Sequence, residues 1–258
     1  MNQTSKPQHQ QRPWVDLLIS IIIPSVILMK LSGDEYLGSV LALLIGLAFP
    51  LGWGLYEFFR FGKKNFIAVL GLVSILLTGG IGLLELDAQW LAIKEAAIPL
   101  LIGIAVLVST RTRYPLVRTL LYNRSILDVD KIHNALVEKG NEGVFEARLM
   151  KASYFFAGTF LFSSIMNYVI AKWIVTSPSG TVAFNEELGQ MTLVSYPMIA
   201  IPSMVMMIAI FYYLWRAIRS LTGFKLEEVL SPALAADDDG EDKKESNSSN
   251  SDRQRSSE

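Results

Sequence analysis

The 258-residue chain has no cysteine, which excludes disulfides, thiolate metal sites and a cysteine nucleophile. Histidine is almost missing too. His9 lies in a polar tail and His133 in a charged segment, so neither a histidine-based metal centre nor any other metal site is expected. There is no GxxxxGK[ST] phosphate loop, no HExxH and no GxSxG, and with no such signature the chain reads as non-enzymatic and free of cofactors. Charge is scarce: 18% of residues are charged against 51% hydrophobic, with a positive mean hydropathy of +0.36. That balance is too apolar for a soluble domain of this size.

What is present is long apolar runs separated by charged punctuation. A bilayer crossing needs about 20 residues at ~1.5 Å rise each, and six runs meet that length, at about 14–31, 37–59, 66–84, 91–109, 154–175 and 191–215. In lipid each must satisfy its own backbone polar groups, so each is expected to be a helix. The expected fold is all-α, a polytopic bundle of six transmembrane helices. Pro24, Pro50, Pro99 and Pro202 fall inside these runs and should each kink or locally widen a helix. The first run follows Lys6 and Arg12 but leads into LSGDEY with no small-residue cleavage site, so it reads as a retained span.

Lysine and arginine are missing from one set of connections. LSGDEY, ELDAQ and TSPSGTVAFNEELGQ contain neither, whereas the N-terminal tail 1–13, residues 60–64, connection 110–153 and the end of span six are rich in them. The positive-inside rule then places both termini in the cytoplasm. The outer connections are acidic instead: Asp34 and Glu35, Glu85 and Asp87, Glu186 and Glu187 form three pairs, with Lys30, Lys94 and Lys172 at the outer ends of spans. Two readings follow. Lysines snorkel to the interface and meet exposed carboxylates, or Glu85, Asp87, Glu186 and Glu187 rim a polar mouth into which Lys94, Glu95 and Lys172 point.

Span five, YFFAGTFLFSSIMNYVIAKWIV, carries two serines, an asparagine and a lysine. At ~100° per residue Ser153, Ala157, Ser164 and Ala171 share one stripe, flanked by Asn167 and Tyr168. Small residues let another helix approach, and an asparagine beside them can bond across the contact; alternatively Asn167, Tyr168 and Lys172 line a solute path. Gly46, Gly52 and Gly54 in span two and Gly79, Gly80 and Gly82 in span three mark either close packing or a broken helix. Glu57 and Arg60 are placed to pair at i,i+3.

Between spans four and five, TRYPLVRTLLYN suits an interfacial helix. DVDKIHNALVEKG follows with Asp128 or Asp130 as N-cap, an apolar face of Val129, Ile132, Leu136 and Val137, and Gly140 as a stop. This cytoplasmic amphipathic segment is expected to brace the bundle or dock a partner. The membrane domain is taken as 14–230, and 231–258 as a disordered acidic tail.

The stretch GGIGLLELDAQWLAIKEAAIPLLIG, with Asp87, Trp90 and Lys94, resembles the intracellular septation protein A group of small bacterial inner-membrane proteins. PLGWGLYEFFR and NYVIAKWIV with AFNEELG are similar to a six-span branch related to that group, although this chain carries Glu95 where a proline usually follows the lysine. The resemblance implies an inner-membrane location and an envelope-related or transport function. The expected partners are the lipid bilayer and a second copy or another envelope protein, with no nucleic acid. Two functions stand: a non-enzymatic envelope scaffold, or a small-solute or proton-coupled transporter with a path near Glu95, Asn167 and Lys172.

Overall fold

A computed structural model of the chain describes residues 17–61, 66–112, 118, 122–123 and 127–229. Both tails, most of the TRYPLVRTLLYN stretch and the side chains of Glu57 and Arg60 lie outside the described residues and side chains. A π-helical stretch, Leu18–Ile22, runs into α1, Ile23–Lys30. Next come α2 (Gly38–Phe61), α3 (Phe66–Leu83), α4 (Gln89–Ser109), α5 (Val129–Glu138), α6 (Glu142–Ile174), α7 (Val182–Thr222) and α8 (Leu226–Val229). The π stretch ends two residues before Pro24. Proline's ring crowds the carbonyl four residues back, and a widened turn relieves that clash. Pro50 lies inside α2, Pro99 inside α4, and both Pro197 and Pro202 inside α7.

Among the described residues four helical segments are long and apolar enough to cross a membrane: Gly38–Tyr56, Gln89–Ser109, Glu142–Ile174 and Val182–Thr222. Leu18–Lys30 and Val69–Leu83 are shorter apolar helices. α6 begins twelve residues before the apolar run at Tyr154, and α7 nine before Met191, so both continue helically through polar sequence.

The chain divides into two compact units. The first comprises residues 1–100 and 162–203, and its core is Leu28, Leu43, Ile81, Leu91, Ala92, Ile170, Ala171, Val175, Phe184, Leu188 and Met191. Glycines bring its helices close. A Cβ on Gly46 would stand 3.2 Å from Leu28 Cγ, one on Gly79 3.2 Å from Leu47, and one on Gly82 would collide with Leu43. Gly52, Gly54 and Gly80 meet nothing within 4 Å. Packing therefore explains half of these glycines, and α2 runs unbroken past Pro50 and its neighbours.

The second unit comprises 101–161 and 204–258. In its core Val106, Phe156, Ala157, Ile210 and Leu214 continue into Tyr122, Ile132, Leu136, Phe145, Leu149, Ile218, Leu221 and Val229. The amphipathic segment is thus a packed layer, built by local rules. Asp128 caps α5 by accepting from the Lys131 backbone N–H (3.1 Å), and Gly140, at φ +65°, ends it where a side chain would be strained. Ile132, Ala135 and Leu136 form its buried face. Val137, expected on that face, is half exposed, while Ala135 takes the inward position.

The layer is sewn to the end of α7 and to α8. Asn141 Nδ2 donates to the Leu221 carbonyl (3.0 Å), Lys139 Nζ to the Thr222 carbonyl, Lys131 Nζ to the Glu228 carbonyl (2.7 Å), and the Asp128 N–H to the Val229 carbonyl (2.8 Å). Tyr122 stacks at a tilt on Phe145, with ring centroids 5.2 Å apart, and burial pushes its phenol up to about 12. His133 is exposed, 3.7 Å from Glu142.

Candidate functional site

The polar residues of the first unit are concentrated on α3, α4, the end of α6 and the start of α7. Lys94 is buried in the second turn of α4. Its Nζ lies 2.6 Å from Glu95 Oε1 and donates to Thr78 Oγ1 (2.6 Å) and Ser74 Oγ (3.3 Å) on α3. An ammonium has three donors, and here one carboxylate and two hydroxyls use them. Glu95, a quarter exposed, has its counter-charge at the neighbouring residue. Sequence reasoning placed Lys94 and Glu95 together but missed Ser74 and Thr78, which lie a helix away and carry no charge.

On α6 the structure separates the polar residues. Ser153, Ala157, Ser164 and Ala171 are all buried, so the small-residue stripe faces protein along its whole length. The bond that crosses to another helix comes from Ser164, whose hydroxyl donates to the Ala96 carbonyl on α4 (2.8 Å). Asn167 Nδ2 donates instead to the carbonyl of Ser163 in its own helix (2.9 Å), which corrects the expected cross-helix role. Tyr168 and Lys172 are exposed. We therefore predict that Ser164→Ala lowers stability by about 0.6 kcal/mol, the mean for interhelical bonds in membranes. Asn167→Ala should cost less than about 0.5 kcal/mol, because a bond back onto the same helix adds little. Unfolding free energies in mixed micelles check the order of the two.

The outer acidic residues have local tasks. Asp87 Oδ1 accepts from the Gln89 N–H (2.8 Å) where α4 begins, satisfying an end donor of the helix. Glu85 adopts φ +50° and occupies the turn that closes α3, where Leu86 N–H reaches the Ile81 carbonyl (3.0 Å). Its side chain lies over Gly180, itself at φ +83°, where an added Cβ would come within 2.8 Å of Glu85 Cγ. Glu187 holds the end of α6 to the start of α7. Its carboxylate accepts from the Thr176 N–H (2.9 Å) and hydroxyl (3.2 Å) and from the Ser177 N–H and hydroxyl (both 2.8 Å). Glu186 is exposed.

Asn185 was not anticipated. It is 1% exposed, and its Nδ2 donates to the Ser39 carbonyl (2.7 Å) and Ser32 Oγ (3.2 Å). It ties the first turn of α7 to the ends of α1 and α2, while its Oδ1 has no partner among the described residues. Its only sequence setting is AFNEELG, which reads as a polar connection, so no signal marked it.

The apolar surface completes the description. Ile201, Met204, Val205 and Ile208 of α7 are each more than half exposed, as are Leu101 of α4, Phe155 and Ile165 of α6, and Trp90 and Trp173 near helix ends. Exposed apolar area of this extent on long helices is that of a helical membrane protein. Comparison with known protein families, with curated proteins and with solved structures gives no match.

Proposed function

We propose that the chain is a six-span, non-enzymatic scaffold or assembly factor of the bacterial inner membrane, similar to the intracellular septation protein A group, with both termini in the cytoplasm. The observation that carries this reading is how the polar groups of the first unit are used. Lys94, Ser74, Thr78, Ser164, Asp87 and Glu187 are all taken up in bonds between or at the ends of helices, and Glu95 pairs with Lys94 beside it. A solute path needs polar groups that exchange partners, and these are engaged in holding the bundle. Four spans meet the crossing length among the described residues, and the six-span reading adds the shorter apolar helices Leu18–Lys30 and Val69–Leu83. The 18 residues of α3 rise about 27 Å, close to the ~30 Å hydrocarbon core. The 33 residues of α6 rise about 50 Å, so its polar first three turns project beyond the bilayer.

The transport reading keeps one supporting observation: Glu95 is partly exposed beside a buried Lys94, an ionised pair within a span, where such groups are rare. Proteoliposomes loaded with a pH dye and assayed for proton flux and solute uptake separate the two readings. The scaffold predicts no saturable flux; a saturable flux that Glu95→Gln removes would replace it with the transporter. Reporter fusions test the topology. A fusion after Glu258 should report the cytoplasm and one within AFNEELG the periplasm, and a periplasmic C-terminus would sink the six-span arrangement.

A further inference from the structure

The second unit carries an open groove of about 380 Å³ between α6 and α7, lined by Phe155, Gly158, Thr159, Met206, Ala209 and Tyr213. It exists because small residues stand opposite each other. Gly158 and Ala209 leave space that Phe155 and Tyr213, in edge contact with centroids 5.8 Å apart, close at one end. The hydroxyl of Thr159 is turned back onto the Phe156 carbonyl (2.7 Å) and is engaged within its own helix. An apolar slot of this size on a membrane-exposed surface suits a hydrocarbon chain.

The charges beyond the closed end define what that chain belongs to. Lys151 lies one turn before Phe155 on α6, and Arg216 one turn after Tyr213 on α7. Each continues a groove-lining face, because residues three or four apart share a side of a helix. Both are exposed, and neither makes an ion pair among the described residues. Two cations at one end of an apolar slot, reaching toward the interface on flexible stems, match an anionic phosphate joined to an acyl chain. A partner helix fits worse. The apolar face of a helix laid in the groove would leave both cations unmatched.

We propose that this groove is a binding site for an anionic phospholipid, its acyl chain against Gly158 and Ala209 and its phosphate between Lys151 and Arg216. The site rests on the membrane placement of α6 and α7 and is independent of the choice between scaffold and transporter.

The test uses the full-length protein, delipidated in detergent and mixed with phosphatidylglycerol or phosphatidylcholine, with retained lipid read by native mass spectrometry. Phosphatidylglycerol should be retained preferentially. Lys151→Ala and Arg216→Ala should each lower its retention roughly fivefold, the equivalent of one surface cation, and leave phosphatidylcholine unchanged. Gly158→Leu fills the slot and should remove retention of both lipids. A Cβ at Gly158 meets nothing within 4 Å, so helix content by circular dichroism should be preserved. Equal retention of the two lipids would overturn the proposal, as would retention indifferent to both cation variants. So would a dimer mass that Gly158→Leu abolishes, which would assign the groove to a second copy.

Discussion

Lys94→Met is expected to lower the unfolding free energy by about 3 kcal/mol, the low end of the range for removing one partner of a buried ion pair. Methionine keeps the length of the side chain and removes its charge. Glu95 is then left part-buried without the ammonium 2.6 Å away, and the hydroxyls of Thr78 and Ser74 lose their common donor. Thr78 still donates to the Ser74 carbonyl (3.0 Å), so its own proton stays satisfied and the loss is mainly electrostatic. Lys94→Met combined with Glu95→Gln should recover most of the stability, with a coupling of about 1–3 kcal/mol in the double-mutant cycle. Additive losses would show that the two side chains act separately.

Gly189→Val is the second large effect. A Cβ at Gly189 would stand 2.8 Å from Met29 Cγ, 2.9 Å from the Ser25 carbonyl oxygen and 3.2 Å from Leu28 Cβ. Met29 can swing aside, but the Ser25 oxygen is helix backbone and moves only if α1 moves. The replacement should cost about 3 kcal/mol, the upper end for overpacking. In the matched control, Gly52→Ala, the new methyl meets nothing within 4 Å. There the gain in helix propensity should raise stability by up to ~1 kcal/mol. Opposite signs at two helical glycines, measured by unfolding in micelles, would establish that α1 and α7 dock through Gly189; a harmless valine would refute it.

The contrast between these glycines also marks how far the sequence is legible. Apolar length located the four helices long enough to cross a membrane, because lipid would demand it of each segment independently. The stops and caps at Asp128, Gly140 and Pro24 were legible because their physics is local. The true starts of α6 and α7 were not: Glu142 to Ser153 and Val182 to Gln190 are too polar for a hydropathy reading, yet they are helical because one face packs. Partnerships between helices were visible only in part. The stripe of Ser153, Ala157, Ser164 and Ala171 was readable from angles alone. Which residue bonds across was not, since the choice between Ser164 and Asn167 depends on where α4 lies. Glycine density in α2 and α3 carried the same ambiguity, as Gly82 packs and Gly80 does not.

The stitching of residues 131–141 to the end of α7 and to α8 has a consequence for the order in which the protein is made. The bonds from Lys131, Lys139 and Asn141 reach 97, 83 and 80 residues along the chain. At roughly 5–20 residues per second a ribosome needs on the order of 4–20 s to supply the C-terminal partners after the first residues emerge. During that interval Ile132, Leu136, Phe145 and Leu149 have no Ile218, Leu221 or Val229 to cover them, and both α6 and α7 must be made before they do. The layer therefore cannot close until α6 and α7 have both been synthesised.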